Sequence, residues 1–455
     1  MLAVKTWFCG LLLITVFSLH AGQQPSRTPG AAVLFEGARI IVGDSRPPFE
    51  NGAFLVEQDR ITRVGKKGEI QVPPGAMRVD LTGKTVIPAF VNLHGHVGFQ
   101  KGLTYAAENY TRENVMDHLN RYAYYGVGLV MSTGTDPGNL PYQLRDEPHP
   151  GALLRTAGRG LAAPNAGPGA EAMRGVPYGV TTEEDGRKAV RELAAKKVDF
   201  VKIWVDDRNG AVKKLSPTLY KAIIDEAHQH NLRVMAHVFY LTDAHELVRA
   251  GVDGFLHLVR DEEMDDPLIG LMKERRVFVT PNLSISERAT YAERPAWLDD
   301  PFLAESVTRD VIKRLSDTFL NRNIAALARS RDSYAKQQRS LKKLNAAGVT
   351  IALGDDSGVQ DNFYGYTEHR ELELMVNAGM TPAQVIVAST SVPARLLNLG
   401  NIGTLQAGKN ADFIVLDANP LDNIRNTRKI LKVFLRGKEV DRSALKGVWT
   451  SPNSR

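Results

Sequence analysis

Two histidines one residue apart, His94 and His96, end the apolar run "VIPAFVNLHGHVG" at residues 86–98. On a strand, side chains two apart point the same way, so the pair aims two imidazoles at one place. Paired imidazoles at the end of a buried strand suit a divalent ion, but a histidine pair is also a common structural feature and means little without further ligands. Other polar residues sit in apolar runs in a similar way: Lys202 in "VDFVKIWVD", His237 in "RVMAHVF", His257 in "GFLHLV" and Asp356 in "TIALGDD". Each has a bland reading. A lone buried histidine is more often a hydrogen-bonded core residue, and Asp356 in "LGDDSG" could simply cap a turn. The lysine is the hardest to dismiss, because a lysine inside a buried strand is costly unless it is neutralised. His228 and His230, in "AHQHN", repeat the His-x-His spacing at the end of a helical pattern, where residues two apart do not face together. They are expected to be a solvent-facing pair.

The elements that must position these residues alternate along the middle of the chain. After the opening strand, which takes in Val86, Ile87, Phe90 and Val91, strands are predicted at 126–134, 152–158, 198–206, 233–239, 254–259, 277–283 and 350–356. Amphipathic helical patterns lie between them; "TTEEDGRKAVRELAAKK" opens on Thr182 with acidic residues in its first turn, as a helix start should. Eight strands with intervening helices predict a (β/α)8 barrel over residues 88–398, with chemistry at the C-terminal strand ends. An open doubly wound sheet is disfavoured, since no glycine-rich phosphate turn follows the first strand. Residues 31–87 and 399–445 are short alternating β segments, and predict one small β-sandwich domain built from both termini. The connection from Ser284 to Ala347 is unusually long. Its "YAERPAWLDDPF" offers Tyr291, Trp297 and Phe302 for a lid over the site, the alternatives being an added helical layer or a subunit interface.

Composition narrows the rest. The chain has 455 residues, 43% hydrophobic and 24% charged, with a net charge of +6 spread among acidic neighbours. Even "RSLKKL" at 339–344 reads as a solvated helix face, so no nucleic acid partner is required. Residues 1–21 have Lys5, an apolar stretch and Ala21, a secretory signal peptide too short to be a comfortable membrane anchor. An exported protein is therefore expected, periplasmic or secreted, with no membrane attachment once the signal is removed. Cys9, the only cysteine, lies in that segment. The mature chain then has no thiolate for catalysis, disulfides or metal binding, and any ion must be held by His, Asp, Glu or a modified side chain.

Taken together, "VIPAFVNLHGHVG", "VKIWV", "VMAHVF", "GFLHLV" and "IALGDDSG" resemble the amidohydrolase superfamily of metal-dependent barrel hydrolases. The tail "ELELMVNAGMTPAQVIVASTSVPARLLNLGNIGTLQAGKNADFIVLDANPL" resembles its imidazolonepropionase-like and Xaa-Pro dipeptidase-like branch. The resemblance covers nearly all of the mature chain. It implies two divalent ions, zinc being the expected metal and manganese or cobalt alternatives. His94 and His96 would hold one ion and His237 and His257 the other, bridged by a carbamate on Lys202, with Asp356 as a further ligand and the catalytic proton carrier. Two departures stand out: Asn92 replaces the usual Asp two residues before the first ligand histidine, and Gly354-Asp355-Asp356 replaces Gly-Thr-Asp.

The implied reaction is hydrolysis of an amide or peptide-type C–N bond in a small molecule, such as a dipeptide or N-acyl amino acid, by metal-bound hydroxide. Alternatives are a cyclic amide, ester or lactone hydrolase; a deaminase, which the lysine disfavours because such relatives usually use one metal; and a non-catalytic scaffold, which would typically have lost ligands. Tyr240 and Arg260 lie shortly beyond the ligand histidines and could meet a substrate carboxylate. A homo-oligomer is compatible with the sequence.

Overall fold

In the computed structural model of the chain, residues 32–320, 322–359 and 362–451 are described. The expected signal peptide lies outside them. No helix among the described residues is long and apolar enough to cross a membrane.

Both ends of the described chain enter one sheet. Strands Val33–Ile40, Phe49–Glu57 and Arg60–Lys66 pair antiparallel in order. Met77–Asp80 and Thr85–Pro88 lie parallel to the first of them. From the other end of the sequence, Phe413–Leu416 pairs with Thr85–Pro88, followed by Ile430–Leu435 and Lys438–Glu439. Phe35, Phe54, Phe413 and Phe434 pack together, stacked or edge-on, with ring centroids 4.6 to 5.2 Å apart. Large rings in these geometries contribute beyond their buried area, which ties the two termini into one core.

The apolar run at 86–91, expected as one strand, is divided between two sheets. Thr85–Pro88 belongs to the terminal sheet and Phe90–Gly95 to the parallel region. At the joint Ala89 N–H donates to the Asp412 carbonyl and Phe90 N–H to that of Gly126. Pro88, with no N–H, occupies the last position of its strand, where a missing donor is tolerated.

The middle of the chain is parallel α/β. Phe90–Gly95, Val127–Ser132 and Leu153–Thr156 form one parallel sheet. Val201–Val205, Val234–Val238, Gly254–Leu256 and Phe278–Thr280 pair in sequence order in another. The eighth predicted strand differs. Residues 350–356 form no regular strand: Ile351 makes an isolated parallel bridge to Val279, Leu93 N–H donates to the Leu353 carbonyl at 2.9 Å, and Asp356 N–H donates to the His94 carbonyl at 2.8 Å. Asp356 adopts a left-handed φ of 61°, which ends any regular pleat there. Among the helices, Glu183–Ala195 has the expected start: Thr182 and Asp185 exchange the two bonds of a capping box. Its Ala189, Val190 and Leu193 are buried.

The long connection does not place its aromatics over the strand ends. Phe302 packs edge-on against Tyr125 at 4.7 Å and His369 at 5.1 Å. Trp297 lies 6.2 Å from the Tyr366 ring, and its carbonyl accepts from the Tyr366 hydroxyl. Tyr291 donates to Glu287 at 2.6 Å. The lid expected of these residues gives way to a layer packed against helices Arg112–Tyr124 and Tyr366–Asn377. Burial of apolar rings on those helices is the physical reason, since rings held open above a polar site would forgo it.

Candidate metal centre

Asp356 is the meeting point. Its left-handed backbone brings Oδ1 to 3.3 Å from His94 Nε2 and 3.0 Å from His96 Nε2, and Oδ2 to 3.8 Å from His257 Nε2. Ligand atoms of His94, His257 and Asp356 all lie within 4.8 Å of one another. The His257 ring centre is 4.9 Å from that of His94 and 4.7 Å from that of His237. Lys202 is buried on the neighbouring strand, its Nζ 5.0 Å from the Trp204 ring and without a hydrogen-bond partner among the described residues. A Cβ on Gly134, whose φ is 86°, would come within 2.8 Å of Lys202 Cγ, so only glycine lets the lysine stem pass so closely. The structure thus brings together His94, His96, His237, His257, Asp356 and Lys202. His228 and His230 pair elsewhere, with Asp253 and Glu226, as a helix-end pair should.

The protonation states suit a cation. Burial holds His94 well below the ordinary imidazole range against the pull of Asp356, with Lys202 and His96 adding to the depression. Burial alone would raise Asp356, but His94, His96 and Lys202 outweigh it and keep the carboxyl well below its usual range. With its amide oxygen facing the ring, Asn282 accepts from His94 Nδ1–H at 2.8 Å and from Asp356 N–H at 3.0 Å, and donates to Thr280. His94 Nε2 is then a bare lone pair without a partner, 3.3 Å from a carboxylate oxygen. Two lone pairs held that close are repulsive alone and favourable around a divalent ion. The residues fit a metal.

His237 is oriented by a group that sequence reasoning passed over. Its Nε2–H donates to Asp206 at 3.0 Å, which leaves Nδ1 as the ligand atom. Burial raises Asp206, but His237 and the Arg208 N–H bring it down to about 2. A weak signal was present: Asp206 directly follows the strand Val201–Val205, at the same two-residue spacing that separates Lys202 and Trp204. Asn282 gave no comparable signal, since an asparagine after proline in "VTPNL" reads as a turn.

The two candidate substrate residues separate. Arg260 sits at the centre, its Nη2 3.1 Å from His257 Nδ1, and interacts electrostatically with Asp356 and Asp206. Tyr240 is engaged on the rim, its hydroxyl donating to Asp207 at 2.7 Å and Lys214 lying over its ring. Asp355 points away from the histidines, toward Asn92. Asp356, Asn282 and His257 all have positive φ, of 61°, 52° and 114°.

Asn282→Ala should leave the fold intact and weaken the tightest metal ion by about 10- to 100-fold, because His94 loses the acceptor that fixes its tautomer. Chelator competition reads this directly, and wild-type affinity would show that Asn282 does not support the ligand.

Comparison with known proteins gives a consistent picture. Residues 85–440 match the Amidohydrolase family. The chain is similar to ochratoxinase from Aspergillus niger, 26% identical over 462 residues that cover 90% of this chain and 86% of that protein. It is 21% identical over 417 residues to 5-methylthioadenosine/S-adenosylhomocysteine deaminase from Halalkalibacterium halodurans, covering 84% of each. The fold superposes on a Xaa-Pro dipeptidase with bound methionine at a TM-score of 0.71 and 21% identity, over 90% of this chain and 99% of that one. A family match over most of the length, joined to a buried histidine–aspartate cluster, means that the chain belongs to the amidohydrolase family and is a metal-binding hydrolase acting on carbon–nitrogen bonds.

Proposed function

We propose that the chain hydrolyses an amide or peptide-type C–N bond in a small, carboxylate-bearing substrate, of the dipeptide or N-acyl amino acid type. It does so with two divalent ions, zinc being the best match to the donor set, held by His94, His96, His237, His257, Asp356 and a carbamate on Lys202. The parallel strands and the 350–357 segment are proposed to close as a barrel, flanked by a domain from residues 31–87 and 399–445. The protein is proposed to be exported, its signal peptide at residues 1–21.

The observation that carries this reading is Asp356 lying within 4 Å of three imidazoles beside a fully buried lysine. When bound, the ions would lower the pKa of water toward neutrality and polarise the scissile carbonyl. Asp356 takes the proton released as water attacks and passes it to the departing nitrogen, so the C–N bond breaks with a neutral amine leaving. Asp206 holds the His237 ring, and Asn282 that of His94, in the orientation this requires. Arg260 points to the substrate class. Its guanidinium has no carboxylate ion-pair partner among the described residues, and its one hydrogen bond there is to His257. A substrate carboxylate supplies the missing anion.

The relative named as a deaminase supports a second reading, hydrolytic loss of ammonia, against which the buried Lys202 stands. The test is to incubate the mature protein, loaded with zinc and bicarbonate, with dipeptides, N-acyl amino acids, cyclic amides, lactones and adenosine derivatives, reading products by mass spectrometry. Turnover confined to lactones or to adenosine derivatives would displace the proposal. Arg260→Met should raise KM about 10- to 100-fold for acyl amino acids and leave KM for the matching amides, which lack the carboxylate, near wild type. An equal loss on both substrates would remove Arg260 from substrate recognition.

A further inference from the structure

The two departures from the family pattern, Asn92 and Asp355, touch each other. Asn92 Nδ2 donates to Asp355 Oδ1 at 2.7 Å and to Glu368 Oε1 at 2.7 Å, with Ser357 Oγ at 3.2 Å. Its Oδ1 accepts from the His94 N–H at 2.9 Å. Asp355 Oδ1 also accepts from the Ser357 N–H at 3.1 Å, and Ser357 Oγ lies 2.7 Å from the Tyr122 hydroxyl. Asn92, Asp355, Ser357 and Glu368 are all completely buried. One amide therefore reaches the backbone of the first ligand histidine and both residues that flank Asp356.

We propose that Asn92 and Asp355 are an interdependent pair that, together with Glu368, positions His94 and Asp356 for the metal. This rests on the metal-hydrolase reading above. Asp356 holds an unfavourable left-handed backbone, and its own N–H reaches only the His94 carbonyl and Asn282. What fixes its neighbours therefore fixes where its carboxylate points. Asn92 is suited to the task because an amide has both donors and an acceptor. Aspartate at 92 would place a third carboxyl group against Asp355 and Glu368 and could not donate to either as an anion. Conversely, threonine at 355 would remove the carboxylate that accepts from both Asn92 and the Ser357 N–H, and leave that buried N–H without its acceptor. With aspartate at 92 and threonine at 355 together, the hydroxyl can donate to the carboxylate, and the contact re-forms with its roles reversed. Each exchange alone breaks the contact, and both together restore it.

A double-mutant cycle tests this: Asn92→Asp, Asp355→Thr and the double variant, with thermal unfolding of metal-free protein and zinc affinity by chelator competition as readouts. Each single variant should melt lower and bind its tightest zinc about 10-fold or more weakly, while the double returns to within about 3-fold of wild type. Asp355→Asn, which keeps an acceptor oxygen toward Asn92, should stay near wild type in zinc affinity even if Asn92→Asp proves too unstable to purify. Losses in the double that equal the product of the single losses would overturn the interdependence. Wild-type zinc affinity in both single variants would overturn the positioning role. If wild-type protein binds no zinc, the metal reading and the positioning role fall together, and the melting cycle alone still decides whether the pair is interdependent.

Discussion

Lys202→Ala should lose about 10³-fold or more in kcat/KM and hold no more than one tight metal ion per chain, where wild type loaded with metal and bicarbonate holds close to two. The reason begins with the cost of a buried charge. A full ammonium in this position would lie without a hydrogen-bond partner among the described residues, over the Trp204 ring. Burial answers by bringing the amine down to about 7, opposed by Asp356 and helped by Arg260. A neutral amine is the form that reacts with carbon dioxide, and the carbamate it gives is an anionic oxygen ligand in place of a stranded cation. In metal-free protein the sign follows from linkage. Between about 7 and the ordinary 10.5 the folded state binds fewer protons than the unfolded, so this residue makes stability rise with pH across that window. Bicarbonate-dependent loading of the second ion should therefore climb through pH 7 and not wait for pH 10. Short carboxylic acids should partly restore Lys202→Ala by filling the gap. Lys202→Arg should not respond to bicarbonate, because its guanidinium stays protonated. Two ions and full activity in Lys202→Ala, without added acid, would take Lys202 out of the site.

How much of this is legible in the sequence depends on where each residue's signal lies. His94, His96, Lys202, His237, His257 and Asp356 stand out because a polar residue within or just past an apolar run is conspicuous against its neighbours. Their orienting partners carry no such contrast. Asp206 lies just past its strand among other polar residues, Asn282 resembles a turn residue, and Glu368 comes from a helix whose position beside Asn92 is a tertiary fact. Most of the parallel strands fall within a few residues of their predicted places, whereas the run at 86–91 reads as a single strand for an instructive reason. Hydrophobicity marks burial but not which sheet a strand joins, and the break between Pro88 and Phe90 serves two sheets at once. The segment at 350–356 looks like a strand because its first residues are apolar, yet backbone strain at Asp356 leaves only one bridge. Trp297 and Phe302 suggest a lid because apolar residues in a long connection have two destinations, and composition does not choose between them.

Asp356→Asn should separate what the site does from what it costs the fold. The substitution keeps the size and removes the charge, so the bond from the residue-356 N–H to the His94 carbonyl can persist. Two losses are expected together. The imidazoles of His94, His96 and His257 no longer share an anion with the metal, and no carboxylate remains to take the proton from water and pass it to the leaving nitrogen. General acid–base transfer of this kind contributes about 10²- to 10⁴-fold, so kcat should fall by at least about 10² even in protein saturated with metal. Stability of the metal-free protein should move the same way but by much less. Against the effect of burial, His94, His96 and Lys202 hold the Asp356 carboxyl well below its usual range in the folded chain, so the anion is stabilised there and its removal costs the fold. The amide introduced by the substitution can donate to the bare His94 Nε2, which offsets part of that cost. The variant should therefore melt lower by a few degrees at most, while kcat falls by at least about 10². If Asp356→Asn keeps kcat within about threefold of wild type with metal saturated, the carboxylate is structural and the proton carrier must be sought elsewhere.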